Sequence, residues 1–223
     1  MVETYGAHES RIYYVEESAY GMTPTNPSML GIPAESLEPS INPGNIELRG
    51  VGNIDLQAVK KGLRDASLKV SYPLPSDAPI NFLQYAKAEL NKSLSTQILY
   101  YKGAFASATD IISLLFKGCK FQKVTVECGI EDVVRATAEL SGQDLAVETA
   151  KITGATYADY AGAVAFNESY LKKATTIFDR VTDWKFTIEN NLKQVLVIRS
   201  TNGHLLKYLP HRHRSLSGEL TFE

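Results

Sequence analysis

His211 and His213, in the run Pro210-His211-Arg212-His213-Arg214, come nearest by type and spacing to a reactive centre, since two imidazoles could share a divalent cation. A metal site needs further defined ligands, however, and the neighbouring guanidinium groups oppose a cation. The same run closes a larger basic set of His204, Lys207, His211, Arg212, His213 and Arg214, with Tyr208 among them. Cations beside an aromatic ring suit phosphate contacts and base stacking. They equally suit a solvated loop, or a seam facing carboxylates of a neighbouring copy. The expectation is a basic or inter-subunit loop without metal or cofactor.

Asp183 and Glu189 share one side of a strand, but six positions of extended chain separate them by about 20 Å, too far for paired glycosidase carboxylates. Cys119 and Cys128 fall on what reads as one strand, about 30 Å apart, whereas bridged Cα atoms approach to about 4.4–6.8 Å. Two cysteines without neighbouring histidines are too few for zinc, and Cys128 has no adjacent base to make it a nucleophile. GxGxxG, Walker, HExxH, GxSxG and CxxC patterns do not occur. No catalytic, cofactor-binding or metal-ligating residue is expected.

The elements that would position any site are mostly strands. In "DWKFTIE", Trp184, Phe186 and Ile188 alternate with polar residues, and in "KFQKVTVE" so do Val124 and Val126. Alternation of this kind marks half-buried strands, so these five residues are the expected core anchors. "QVLVIRS" and "HLLKYL" read as two further strands joined at Asn202-Gly203, where both residues tolerate positive φ and form the hairpin turn. Residues 78–92 change period: Ile80, Leu83, Lys87 and Leu90 are spaced for one amphipathic helix, with Asp77 as cap and Pro79 in the first turn. Five prolines between residues 24 and 43 interrupt any ladder, so residues 1–45 read as an extended arm and 46–223 as a β domain. The chain ends in "SLSGELTFE", itself strand-like, and an edge partner for it would belong to another subunit or to residues absent from this sequence.

Composition bounds the rest. The 223 residues are 44% apolar and 22% charged, with 12 Tyr and 8 Phe, as in folded soluble proteins. A net charge of −2 gives no whole-chain reason for tight binding to phosphates, although a protein could enclose nucleic acid without gripping it. The first residues carry no apolar leader core, and no run approaches the length of a membrane span.

Three segments, "EESAYGMTPTNP", "LFKGCKFQKVTVECG" and "VTDWKFTIENNLKQVLVIRSTNGHLLKYLPHRHRSLSGELTFE", stand in an order that resembles the tail tube proteins of tailed phages and related archaeal viruses. The resemblance implies a mainly β fold, an antiparallel β-sandwich or distorted barrel with one flanking α-helix and an extended N-terminal arm. It places Glu17, Tyr20, Gly21 and Pro24 in the arm, Gly118 and Cys119 where the central strand begins, and Gly218 in the closing strand. The implied role is structural and non-enzymatic: hexameric rings that stack around a channel, hold a tape-measure protein and let DNA cross. The implied location is the virion tail, after synthesis in the host cytoplasm, with no membrane partner. A single-ring terminator, adaptor or baseplate protein, the inner tube of a contractile injection device, and a β-rich nucleic-acid-binding module are the alternatives.

Overall fold

A computed structural model describes residues 5–52, 54–76, 82–87, 91–160, 162–178 and 180–223. Along these run β1 (Ser10–Glu16), β2 (Ser28–Ile32), β3 (Ser36–Asn42), β4 (Ile46–Leu48), β5 (Ala58–Lys60), β6 (Asp65–Pro73), β7 (Leu94–Tyr101) and β8 (Ile111–Gly129). They are followed by β9 (Arg135–Gly142), β10 (Asp144–Glu148), β11 (Thr156–Ala158), β12 (Leu171–Lys173), β13 (Thr176–Phe178), β14 (Val181–Glu189) and β15 (Ser215–Phe222). Eleven of these strands form one sheet, ordered β11-β2-β1-β7-β8-β9-β6-β3, with β10 and β14 also on β8 and β15 on β14. β11 joins β2 in parallel, and the other pairs are antiparallel.

The nineteen residues of β8 organise the sheet. Along one edge its first half pairs with β7 and its second half with β14, while β10 and β9 succeed one another along the other edge. β8 therefore belongs to two wings. Midway, Gly118 sits at φ +66°, a conformation L side chains rarely adopt, and marks the bend between them. The wings fold face to face: Ile12, Tyr14, Leu94, Ile98 and Phe116 of one meet Leu68, Val70, Tyr72, Ala138 and Leu140 of the other. Ile12, Tyr13 and Tyr14 are all buried because β1 is covered on both sides, Tyr13 packing with Met29 and Leu99 in a second cluster. A continuous apolar run is what such a strand requires.

Two features of the expected fold are corrected. Among the described residues the sheet does not close into a barrel: β3 pairs only with β6, β15 only with β14, β10 only with β8 and β11 only with β2, so its borders stay open. The flanking α-helix is not present either, because among the described residues Phe82–Ala86 form a short 3-10 turn. Of the helix expected over 78–92 and its cap Asp77, residues 77–81 and 88–90 lie outside the described residues, and 91–92 are not helical. The physical reason is visible at the end of the turn. Lys87 N donates to the Gln84 carbonyl three positions back, at 3.1 Å, and Asn190 Nδ2 fastens the turn by donating to the Ala86 carbonyl at 3.0 Å and the Phe121 carbonyl at 2.9 Å. The turn instead drops Phe82 into the core, 4.7 Å from the Phe121 ring and 4.8 Å from Tyr14.

Residues expected as an arm supply β1, β2 and β3 to the sheet. Pro39 fits within β3 because a border strand has one side on which a missing N–H breaks no ladder. The two strands expected on either side of Asn202-Gly203 reduce to one bridge between Val195 and Tyr208. The turn itself is present, with Asn202 at φ +54° and Leu205 N donating to the Asn202 carbonyl.

Candidate assembly surfaces

Where the chain leaves β1, the buried carboxylate of Glu17 gathers three distant segments. Its Oε1 accepts from Gly118 N at 2.7 Å and Ser95 Oγ at 2.8 Å, and its Oε2 from Gly21 N at 2.7 Å and Ser93 Oγ at 2.6 Å. Four donors in place of a cation satisfy a buried charge. Gln143 packs beside this knot so closely that a Cβ on Gly21 would meet its Oε1 at 2.0 Å and a Cβ on Gly118 its Cβ at 2.7 Å. Its Nε2 donates to the Leu206 carbonyl at 2.6 Å, tying in the loop that carries the basic residues.

That loop is held by buried Leu205, Leu206 and Leu209. The basic residues follow its course from 204 to 214. The His204 carbonyl accepts from Arg64 N, and Lys207 lies over the Tyr208 ring, its ammonium 5.3 Å from the centroid. Burial, then the charges of Lys120 and Arg214, hold His211 below the usual imidazole range, so its neutral form is favoured. Arg212 N donates to the Asn190 carbonyl, and the His213 carbonyl accepts from Asn191 Nδ2. Among the described residues no group of three His, Cys, Asp or Glu is placed to hold a metal, and Cys119 and Cys128 are free thiols.

One face of the run β15-β14-β8-β9-β6-β3 is polar throughout its cross-strand rows. Ser215, Glu189, Lys123, Glu139, Lys69 and Glu38 stand opposite one another in turn, a row of alternating charge. Within it Lys123 pairs with Glu189 at 3.2 Å and Lys69 with Glu38 at 3.1 Å. The next row is hydroxyls: Ser217, Thr187, Thr125, Thr137, Ser71 and Ser36. A third runs Glu219, Lys185, Glu127, Arg135, with Lys185 2.9 Å from Glu127. Opposite charges directly across a ladder stabilise it by tenths of a kcal/mol each, and carboxylates outnumber cations over the face as a whole.

The opposite face of this wing is apolar but only partly covered. Val124 is buried in the core and Val126 packs against it. One strand further out, Trp184 and Ile188 are half-buried, Phe186 is 39% exposed, and Leu216 on β15 is 66% exposed. Trp184, Phe186 and Ile188 thus lie outside the buried cluster of the single chain. Phe186 lies over Gly218, where a Cβ would stand 2.7 Å from its ring.

The pattern that describes the "Phage tail tube protein" family matches residues 7–222, almost the whole chain. The chain belongs to that family. A phage tail tube protein is a structural component of a tail-tube-like assembly in the virion tail, and not an enzyme. No curated protein matches the chain. Among solved structures it is similar to the tube-terminating cap of the anti-feeding prophage, at 14% identity and TM-score 0.47, covering 67% of this chain and 94% of that one. It is also similar to the SPP1 tail tube, at 14% identity and TM-score 0.48, over 68% of this chain and 82% of that one. A third is the PVC sheath-tube complex of an extracellular contractile injection system, at 12% identity and TM-score 0.45, over 67% and 95%.

Proposed function

We propose that this tail tube protein is the repeating subunit of the tube, closing into hexameric rings through its open sheet borders and stacking around a channel that DNA crosses. The carrying observation is the run β15-β14-β8-β9-β6-β3, whose neighbouring strands alternate in direction and whose two ends have no partner. Because the run holds an even number of strands in alternating directions, β3 of one copy meets β15 of the next in antiparallel sense, like every junction within the run. Closure removes the exposed edges that otherwise invite uncontrolled pairing. Pro39 deletes one outward donor from β3, so the joint cannot rest on hydrogen bonds alone, and covering Phe186 and Leu216 supplies apolar burial.

In this reading the polar face lines the channel. Its cations are already opposed by carboxylates across the ladder, which leaves little to grip phosphates and suits passage over binding. A tape-measure protein would occupy the same channel before DNA. The basic residues His204, Lys207, His211, Arg212, His213 and Arg214 would then face neighbouring subunits, and the test that separates this from nucleic-acid binding is salt-dependent titration with DNA. Electron microscopy of purified protein over a concentration series is expected to show rings that stack into open tubes. Monomers persisting at high concentration would overturn the proposal.

A further inference from the structure

We infer that the pocket beside the bend of β8 is a binding site for a single carboxylate, anchored by the ammonium group of Lys120. Lys120 stands on β8 two residues past Gly118 and is 7% exposed, a depth at which charged side chains are ordinarily paired. Its Nζ donates to Asn91 Oδ1 at 2.8 Å and lies 5.8 Å from the centre of the Tyr20 ring. A neutral amide and a π face solvate the ammonium without cancelling its charge. Among the described residues no carboxylate lies within ion-pair distance of it. The carboxylate in the pocket wall, Glu17, spends its oxygens on Gly21, Gly118, Ser93 and Ser95, and Glu16 is paired with Lys92.

The pocket holds about 320 Å³ and is walled by Glu17, Tyr20, Asn91, Lys92, Tyr208 and Leu209. At its floor the Tyr20 ring reaches the bend of β8, where a Cβ on Gly118 would stand 3.1 Å from Cζ, and the buried Tyr20 hydroxyl has no partner. Burial holds Lys120 below the usual lysine range, and the charges of Lys120 and Arg214 help to keep His211 neutral. With Lys92 answered by Glu16 and His211 neutral, one ammonium is left over. That suits a singly charged carboxylate; a phosphate dianion would bring a second charge against Glu17 with nothing to meet it. The carboxylate is either free in solution or an Asp or Glu of a neighbouring copy. Tyr208 and Leu209 belong to the loop read above as facing neighbouring subunits, so the second source rests on the ring-forming reading.

The test uses the full chain with carbon-13-labelled lysines, below the concentration at which rings form, titrated with sodium acetate against sodium chloride at constant ionic strength. The Lys120 ε-carbon resonance is expected to move saturably with acetate and not with chloride. Lys120→Met keeps the buried stem and removes the charge, so it should melt no lower than the unmodified protein and bind acetate about 10-fold to 100-fold more weakly, read from the Tyr20 and Tyr208 amides. A Lys120 resonance unmoved by acetate, equal acetate binding by Lys120→Met, or tighter binding of inorganic phosphate than of acetate would overturn the site. Assembly then separates the two sources. If a neighbouring copy supplies the carboxylate, acetate and Lys120→Met each raise the concentration needed for rings; if it is free, neither does. Absence of rings from the unmodified protein would overturn the ring-forming reading and leave the acetate titration standing.

Discussion

Replacing Glu17 with alanine is expected to lower the unfolding free energy by about 3 to 5 kcal/mol, because it strands the backbone N–H groups of Gly21 and Gly118 and takes the acceptor from the Ser93 and Ser95 hydroxyls, of which Ser95 keeps Thr23. Each carboxylate oxygen of Glu17 accepts from one backbone N–H and one serine. That symmetry makes Glu17→Gln informative: its oxygen still serves one such pair, its amide faces the other N–H donor to donor, and only the serine there can turn to accept. The glutamine variant should lose about half as much. Urea denaturation reads both values, as a shift in midpoint at constant slope. A loss below about 1 kcal/mol for alanine would show that the turn at 17–24 is not tied to the bend of β8 in the way described.

Phe186→Asp is expected to leave the monomer folded, at a cost of about 1 to 2 kcal/mol, and to abolish lateral assembly at ordinary concentrations. In the single chain the ring rests on Gly218, 5.6 Å from the Trp184 ring, and is 39% exposed. In a closed ring the same surface is covered, and a carboxylate there would be desolvated without a partner. Aromatic anchors at the centre of interfaces contribute about 2 to 4 kcal/mol, which corresponds to a loss of about 30-fold to 1000-fold in affinity per joint. Mass photometry across a dilution series measures this directly. Rings of unchanged stability would place Phe186 outside the joint.

How much of this was legible in the sequence depends on the distance over which each feature is written. Alternation in β6, β9, β14 and β15 is local, with a period of two residues, and reads directly as strands. The Gly118 bend and the separation of Cys119 from Cys128 along β8 are local as well. The turn at 82–86 misleads because apolar residues three and four positions apart fit an α-helix and a 3-10 turn equally, and the side chain that fastens it, Asn190, lies far along the chain. The segment 194–209 misleads differently: Leu196 and Ile198 carry strand-like alternation although they are exposed and unpaired in the sheet.

Glu17 has no local signal beyond its place in the first segment resembling the family, since its partners lie at positions 21, 93, 95 and 118. The polar rows are equally hidden. Glu189, Lys123, Glu139, Lys69 and Glu38 are scattered along the chain and become a row only when the register of five strands is known.

The most direct test of open borders completed by other copies is amide hydrogen exchange of β15 in monomer and in assembled tube. Alternate amides of Ser215–Phe222 bond to β14 and should be protected in both states, while those facing outward should exchange freely in the monomer and become protected on assembly. Outward amides of β15 that exchange as fast in the tube as in the monomer would contradict the account.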